Sequence, residues 1–144
     1  MMAHNPDVDE KQNLPLIPNL SGKYYNLTRL YSLINGQLET LKEIIDVFLI
    51  QVKEYDVDIV QAIEDGNFQK IHKLTHKFKS SLKLLGIEHL KLNFESINSL
   101  AKQQINLDEI RHHSQIIKRS FMVCAAELEA FNHHLEFEND KKII

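Results

Sequence analysis

The sequence predicts an all-α chain: an antiparallel up-down four-helix bundle with a short additional N-terminal helix. Three observations carry this expectation. All three prolines, Pro6, Pro15 and Pro18, precede Asn19, so the strongest helix breaker is missing from the rest of the 144-residue chain. Apolar residues recur at three- and four-residue steps in four successive stripes. Strand signals are missing: no β-branched run alternates with polar residues, and the one Asn-Gly pair, Asn35-Gly36, falls between two helical patterns.

The elements follow in order. A polar tail is expected over 1–20, a folded domain over 21–138 and a C-terminal tail over 139–144. Leu27 to Ile34 reads as the short first helix. Leu38, Leu41, Ile44, Ile45, Phe48, Leu49, Val52, Ile59, Val60 and Ile63 form a long stripe. As a single helix it would span roughly 40 Å at about 1.5 Å per residue. Phe68, Ile71, Leu74, Phe78, Leu82 and Leu85 form the next stripe, with Asn67 as a natural N-cap. Ile87, Leu90, Phe94, Ile97 and Ala101 form a third. Ile110, Ile117, Phe121, Cys124, Leu128, Phe131 and Leu135 form a fourth, opened by Asn106 and Glu109 as a capping pair. Gly22, Gly36, Gly66 and Gly86 all stand between periodic segments, where helices end.

Composition narrows the class. A hydrophobic content of 43% suits one globular domain with its own core. The lone Cys124 cannot form an internal disulfide, which fits a reducing compartment. No run of about 18 apolar residues exists to span a membrane, and the acidic start is unlike a secretory signal. The expectation is a cytoplasmic protein. A net charge of -3 argues against a nucleic-acid binder.

The chemistry concentrates in Ile71 to Gly86, IHKLTHKFKSSLKLLG. On a helical wheel at about 100° per residue, His76 falls about 150° from the centre of the apolar stripe. His72, Lys79, Ser80 and Lys83 surround it on one solvent-facing strip. Neutral imidazole is a good nucleophile near pH 7 because its ordinary pKa is about 6.5. Phosphoryl transfer needs positioning and charge neutralisation, which a lysine one turn away supplies. The small Ser80 leaves room for another protein's cleft to close over the ring.

Histidine, lysine at +3, a small pair at +4 and +5 and glycine at +10 are similar to the signature of histidine-containing phosphotransfer domains of two-component phosphorelays. Here these positions are His76, Lys79, Ser80, Ser81 and Gly86. YNLTRLYSLINGQLETLKEIIDVFLIQ resembles the short first helix and the second helix of that family. VQAIEDGNFQKIHKLTHKFKSS resembles its helix-turn-helix leading into the phosphorylated histidine. The resemblance covers roughly Tyr25 to Leu135. It implies a phosphorelay intermediate that is a carrier, not an enzyme acting alone. His76 would accept a phosphoryl group from a receiver-domain aspartate and pass it reversibly to another receiver, with Lys79 neutralising charge. The implied partners are response-regulator receiver domains and the receiver domain of a hybrid histidine kinase, which bring their own Mg²⁺. His72, Ser80 and Lys83 are expected to contact them; neither nucleic acid nor membrane is an expected partner. Two positions depart from the pattern: Ser80 stands where glycine is common, and Thr75 where alanine is common before the histidine.

Charge agrees with this. From Asn67 to Lys91 there are six lysines and one acid, Glu88, a local balance of +5 suited to an acidic partner cleft. For Lys70, Lys73, Lys77 and Lys91 the simpler reading is a solvated helix face. The competing functional class is a helical-bundle scaffold that docks a receiver or another partner without phosphotransfer. Eight histidines also raise metal binding. His72 and His76 have a chelating i,i+4 spacing, but no third ligand is near in sequence, so no cofactor metal is expected and only weak adventitious binding is admitted. His89 and the C-terminal histidines read as solvated. A serine hydrolase built on Ser80 or Ser81 lacks an oxyanion hole and an orienting acid. Without a glycine-rich phosphate loop, ATP binding is not expected.

Overall fold

The computed structural model describes residue 17 and residues 20–143, with side chains through 135. The tail expected over 1–20 therefore lies almost wholly outside the described residues. The order is α1 (Thr28–Leu33), α2 (Leu38–Glu64), α3 (Phe68–Leu84), α4 (Lys91–Gln103) and α5 (Leu107–Ile143). Among the described residues the only extended pairing is an isolated bridge between Ser21 and Asn26. No helix there is long and apolar enough to cross a membrane.

Several boundaries have a clear local cause. α2 is one helix of 27 residues, matching the long first stripe. It ends at Gly66, whose φ of +61° is left-handed; the Asn67 N–H then reaches back to the Ala62 carbonyl at 2.9 Å. The Asn67 side chain next accepts from the Lys70 N–H at 3.1 Å and opens α3. Asn106 and Glu109 form their capping pair at the start of α5, with the Glu109 N–H donating to Asn106 Oδ1 at 3.3 Å. The helical backbone of α5 runs to Ile143, past residue 138, where the folded domain was expected to stop.

The stripe from Ile87 to Ala101 is not one helix. The chain leaves α3 through Gly86 in the left-handed region, and the Ile87 N–H donates to the Leu82 carbonyl at 2.9 Å. α4 begins only at Lys91, while Ile87 and Leu90 sit buried in the connection. Apolar spacing alone misplaces them, because a helix end that tucks a hydrophobic residue under its last turn keeps nearly the same spacing.

Packing closes into a ring: α2 lies against α3 and α5, and α4 lies against α3 and α5. Five rings from all four long helices meet at the centre. Tyr55 stacks on Phe78 at 4.9 Å, and Phe78 lies 6.0 Å from Phe94 and 5.3 Å from Phe121. Phe48 joins Phe78 at 5.6 Å. Each such burial contributes roughly 1.5–3 kcal/mol, more than any surface contact in the protein. Polar clips add register. The Asn132 side chain on α5 donates to the Lys42 carbonyl at 3.2 Å and to Asp46 Oδ1 at 2.8 Å on α2.

Cys124 is fully buried in this core. Burial, assisted by the Glu127 carboxylate, pushes its thiol pKa up to about 12. The thiolate is the reactive form. Native protein at pH 8 is therefore expected to react with a disulfide reagent at least tenfold more slowly than protein unfolded in urea, as absorbance of the released thiolate would measure.

Candidate functional site

The core-facing residues of α3 are Ile71, Thr75, Phe78 and Leu82. That face fixes the direction of the opposite one. His76 is exposed on the outer face of α3, with Ser80 and Lys83 exposed beside it and His72 and Lys79 half-buried. The predicted strip is thus assembled on one helix face. The His72 and His76 rings lie nearly parallel, 5.8 Å apart between centroids and 10° between planes.

Thr75, the departure just before the histidine, points inward. It is fully buried, and its hydroxyl donates to the Ile71 carbonyl at 2.7 Å. It therefore takes its hydrogen bond within α3 and leaves the outward path of the imidazole unobstructed. The serine pair divides between two roles. Ser81 turns to α2, where its Oγ donates to Gln51 Oε1 at 3.4 Å, while Ser80 faces solvent beside the ring.

Lys79 is not idle. Its Nζ lies 3.6 Å from Glu95 Oε1 on α4, with both side chains about two-fifths exposed, at 42% and 40%. A half-exposed pair of this kind contributes at most about 1 kcal/mol. It holds the ammonium one turn from His76 without committing it.

His76, Lys79, Ser80 and Lys83 line one wall of a groove of about 1500 Å³. The opposite wall is formed by Ile17 and by residues between Leu20 and Leu33, which the sequence did not place near the histidine. His72 lies outside the groove. The N-terminal segment is held there by backbone bonds: the Asn26 N–H donates to the Leu85 carbonyl at 3.1 Å, and the Leu27 N–H to the Leu20 carbonyl at 2.7 Å. On its other side the Lys23 and Tyr24 N–H groups reach the Glu127 carboxylate on α5 at 3.4 and 3.3 Å. The groove lining carries the cations Lys23, Arg29, Lys79, Lys83 and Lys91 against a single acid, Glu88.

Three leucines on the groove are exposed: Leu33 at 62%, Leu84 at 39% and Leu92 at 75%. They come from the end of α1, the end of α3 and the start of α4. Leu33 lies within the short first helix and Leu84 at the last turn of α3, where no stripe marks them as outward. Only the tertiary arrangement brings these apolar rims around one imidazole.

His89 is exposed, as the solvated reading expects, but it also has partners. Its ring packs 4.9 Å from that of Tyr24, its Nε2 pairs with Ser120 Oγ, and partial burial lowers its pKa. It fastens the N-terminal segment and α5 to the approach of α4. Among the described residues no three His, Cys, Asp or Glu side chains come together as a metal cage.

Comparison with protein families, with curated proteins and with solved structures found no match. The functional reading rests on the residues themselves.

Proposed function

We propose that this chain is a phosphocarrier of the histidine-containing phosphotransfer type, its four long helices forming an antiparallel up-down bundle with α1 across one end. His76 accepts a phosphoryl group from a receiver-domain aspartate and returns it to another receiver. The observation that supports this most is the exposed imidazole of His76 in an open, cation-lined groove, with small Ser80 one turn on and a rim of exposed leucines. A nucleophile offered to another protein's cleft needs that clearance.

The chain's part in transfer follows from these positions. An imidazole nitrogen of His76 attacks phosphorus as the aspartyl oxygen leaves, forming the P–N bond while the P–O bond breaks. The reverse attack by a carboxylate oxygen restores the free ring. Lys79 and Lys83 face the charge on the transferring group, and Leu33, Leu84 and Leu92 supply apolar contact for a docking partner. The cationic lining favours encounter with the acidic site of a receiver domain, whether of a response regulator or of a hybrid kinase, and that receiver carries the Mg²⁺. Cytoplasmic localisation belongs to the same reading.

Incubation with a phosphorylated receiver domain tests it. Wild-type protein is expected to gain acid-labile, base-stable phosphate, and His76→Gln to gain none. Equal labelling of both would remove His76 from the reaction. Unlabelled wild type that still binds the receiver would favour the scaffold reading.

A further inference from the structure

We propose that His72 and His76 form a two-imidazole site for a borderline transition-metal ion, Zn²⁺, Ni²⁺ or Cu²⁺, and that occupancy of this site blocks His76 as a phosphoryl acceptor. The second half rests on the carrier reading above; the first does not.

The geometry carries the site. The two rings stand one helical turn apart on the same face of α3, stacked nearly parallel at 5.8 Å, with His76 exposed and His72 half-buried. Residues four apart on a helix are neighbours, and two histidines at this spacing bind zinc from one helix face in helical metal motifs. Turning each ring about its broad χ2 torsion brings one nitrogen of each toward a common point. α3 is a regular, capped helix, so the two Cα positions are already set.

Ligand chemistry selects the ion. Neutral imidazole suits Zn²⁺, Ni²⁺ and Cu²⁺, whereas Mg²⁺ prefers carboxylate, carbonyl and water oxygens. The Mg²⁺ that a receiver requires therefore does not compete. Among the described residues no third protein ligand completes a cage, so solvent fills the remaining positions and the site is exchangeable, not structural. Lys83 lies two turns from His76 and weakens cation binding, while Glu95 offsets Lys79. A coordinated nitrogen has its lone pair in the metal bond and cannot attack phosphorus. His72 thereby acquires a role that requires no contact with the transferring group.

Calorimetric titration with ZnCl₂ and NiCl₂ tests the site without any phosphoryl donor. Wild type is expected to bind one ion, with His72→Gln and His76→Gln each at least tenfold weaker and Gln69→His, which adds an imidazole on the same face, at least tenfold tighter. MgCl₂ is expected to give no signal. Circular dichroism verifies that each variant keeps its helices. Equal zinc affinity in wild type and His72→Gln, or no binding by wild type, overturns the site. The block is read as the ratio of labelling with and without saturating Zn²⁺, each variant against itself. At least a fivefold loss is expected in wild type and less than twofold in His72→Gln at the same zinc concentration; equal ratios overturn the block. A wild type that binds zinc but is never labelled, even without zinc, refutes the carrier reading and leaves the metal site standing.

Discussion

Gly86→Ala is expected to destabilise the protein by roughly 2–4 kcal/mol. Two independent costs meet at this residue. Its φ of +65° is a conformation that a side chain disfavours. A Cβ placed there would also stand 2.3 Å from the Asn26 carbonyl oxygen, which is backbone and cannot rotate away. Asn26 is itself bonded to the Leu85 carbonyl, so relief requires the N-terminal segment to lift from the end of α3. For a domain of this size the loss corresponds to a fall in Tm of about 5–15 °C by differential scanning calorimetry. The same displacement opens the groove wall facing His76, so phosphoryl labelling is expected to fall at temperatures where the variant is still folded. A Tm within about 2 °C of wild type would show that this contact does not hold the segment. Gly66 shares the left-handed region, with a φ of +61°, yet the nearest atom to a Cβ placed there is a flexible Leu107 methyl at 3.6 Å. Gly66→Ala should therefore cost only about 1 kcal/mol.

Lys79→Gln is expected to slow phosphoryl transfer to His76 by about tenfold to a hundredfold while changing stability by no more than about 1 kcal/mol. The ammonium is paired to Glu95 at 3.6 Å in a half-exposed setting, a contact too weak to matter to the fold. A phosphoryl group carries nearly two charges against one on the carboxylate, so on the proposed function Lys79 is expected to exchange partners when the group arrives. Glu95→Gln removes the competitor and is expected to act in the opposite direction, raising the transfer rate by up to about fivefold, the equivalent of about 1 kcal/mol. Rapid-quench labelling of the two variants separates neutralisation from packing, since loss of packing would slow both. Wild-type rates in Lys79→Gln would remove the lysine from the mechanism.

Periodicity was enough to place His76. Once Ile71, Phe78 and Leu82 define the buried side of α3, the geometry of one helix fixes where a residue between them must point, and the exposed ring follows. Helix caps were equally legible, because Asn67 and Asn106 act on backbone groups three residues away. The same locality sets the limit. A wheel orients each residue against its own stripe and is silent about which neighbouring helix comes alongside. The Lys79–Glu95 pair, the Asn132 clip to α2 and the three leucines around the groove all join residues distant in sequence. Ile87 and Leu90 mark the other boundary, since burial in a connection leaves the same apolar trace as burial in a helix.

The amino-acid sequence by itself determined that four long helices form, the Asn67 and Asn106 caps of two of them and the outward face that carries His76, because these depend on backbone geometry and side-chain spacing over a few residues. The tertiary structure alone decided what surrounds that face: the N-terminal segment across the end of α3, the carboxylate that holds Lys79 and the apolar rim. Those contacts depend on how far each helix slides and turns against its neighbours. That register is set by the five-ring core and its polar clips acting together, not by any local pattern.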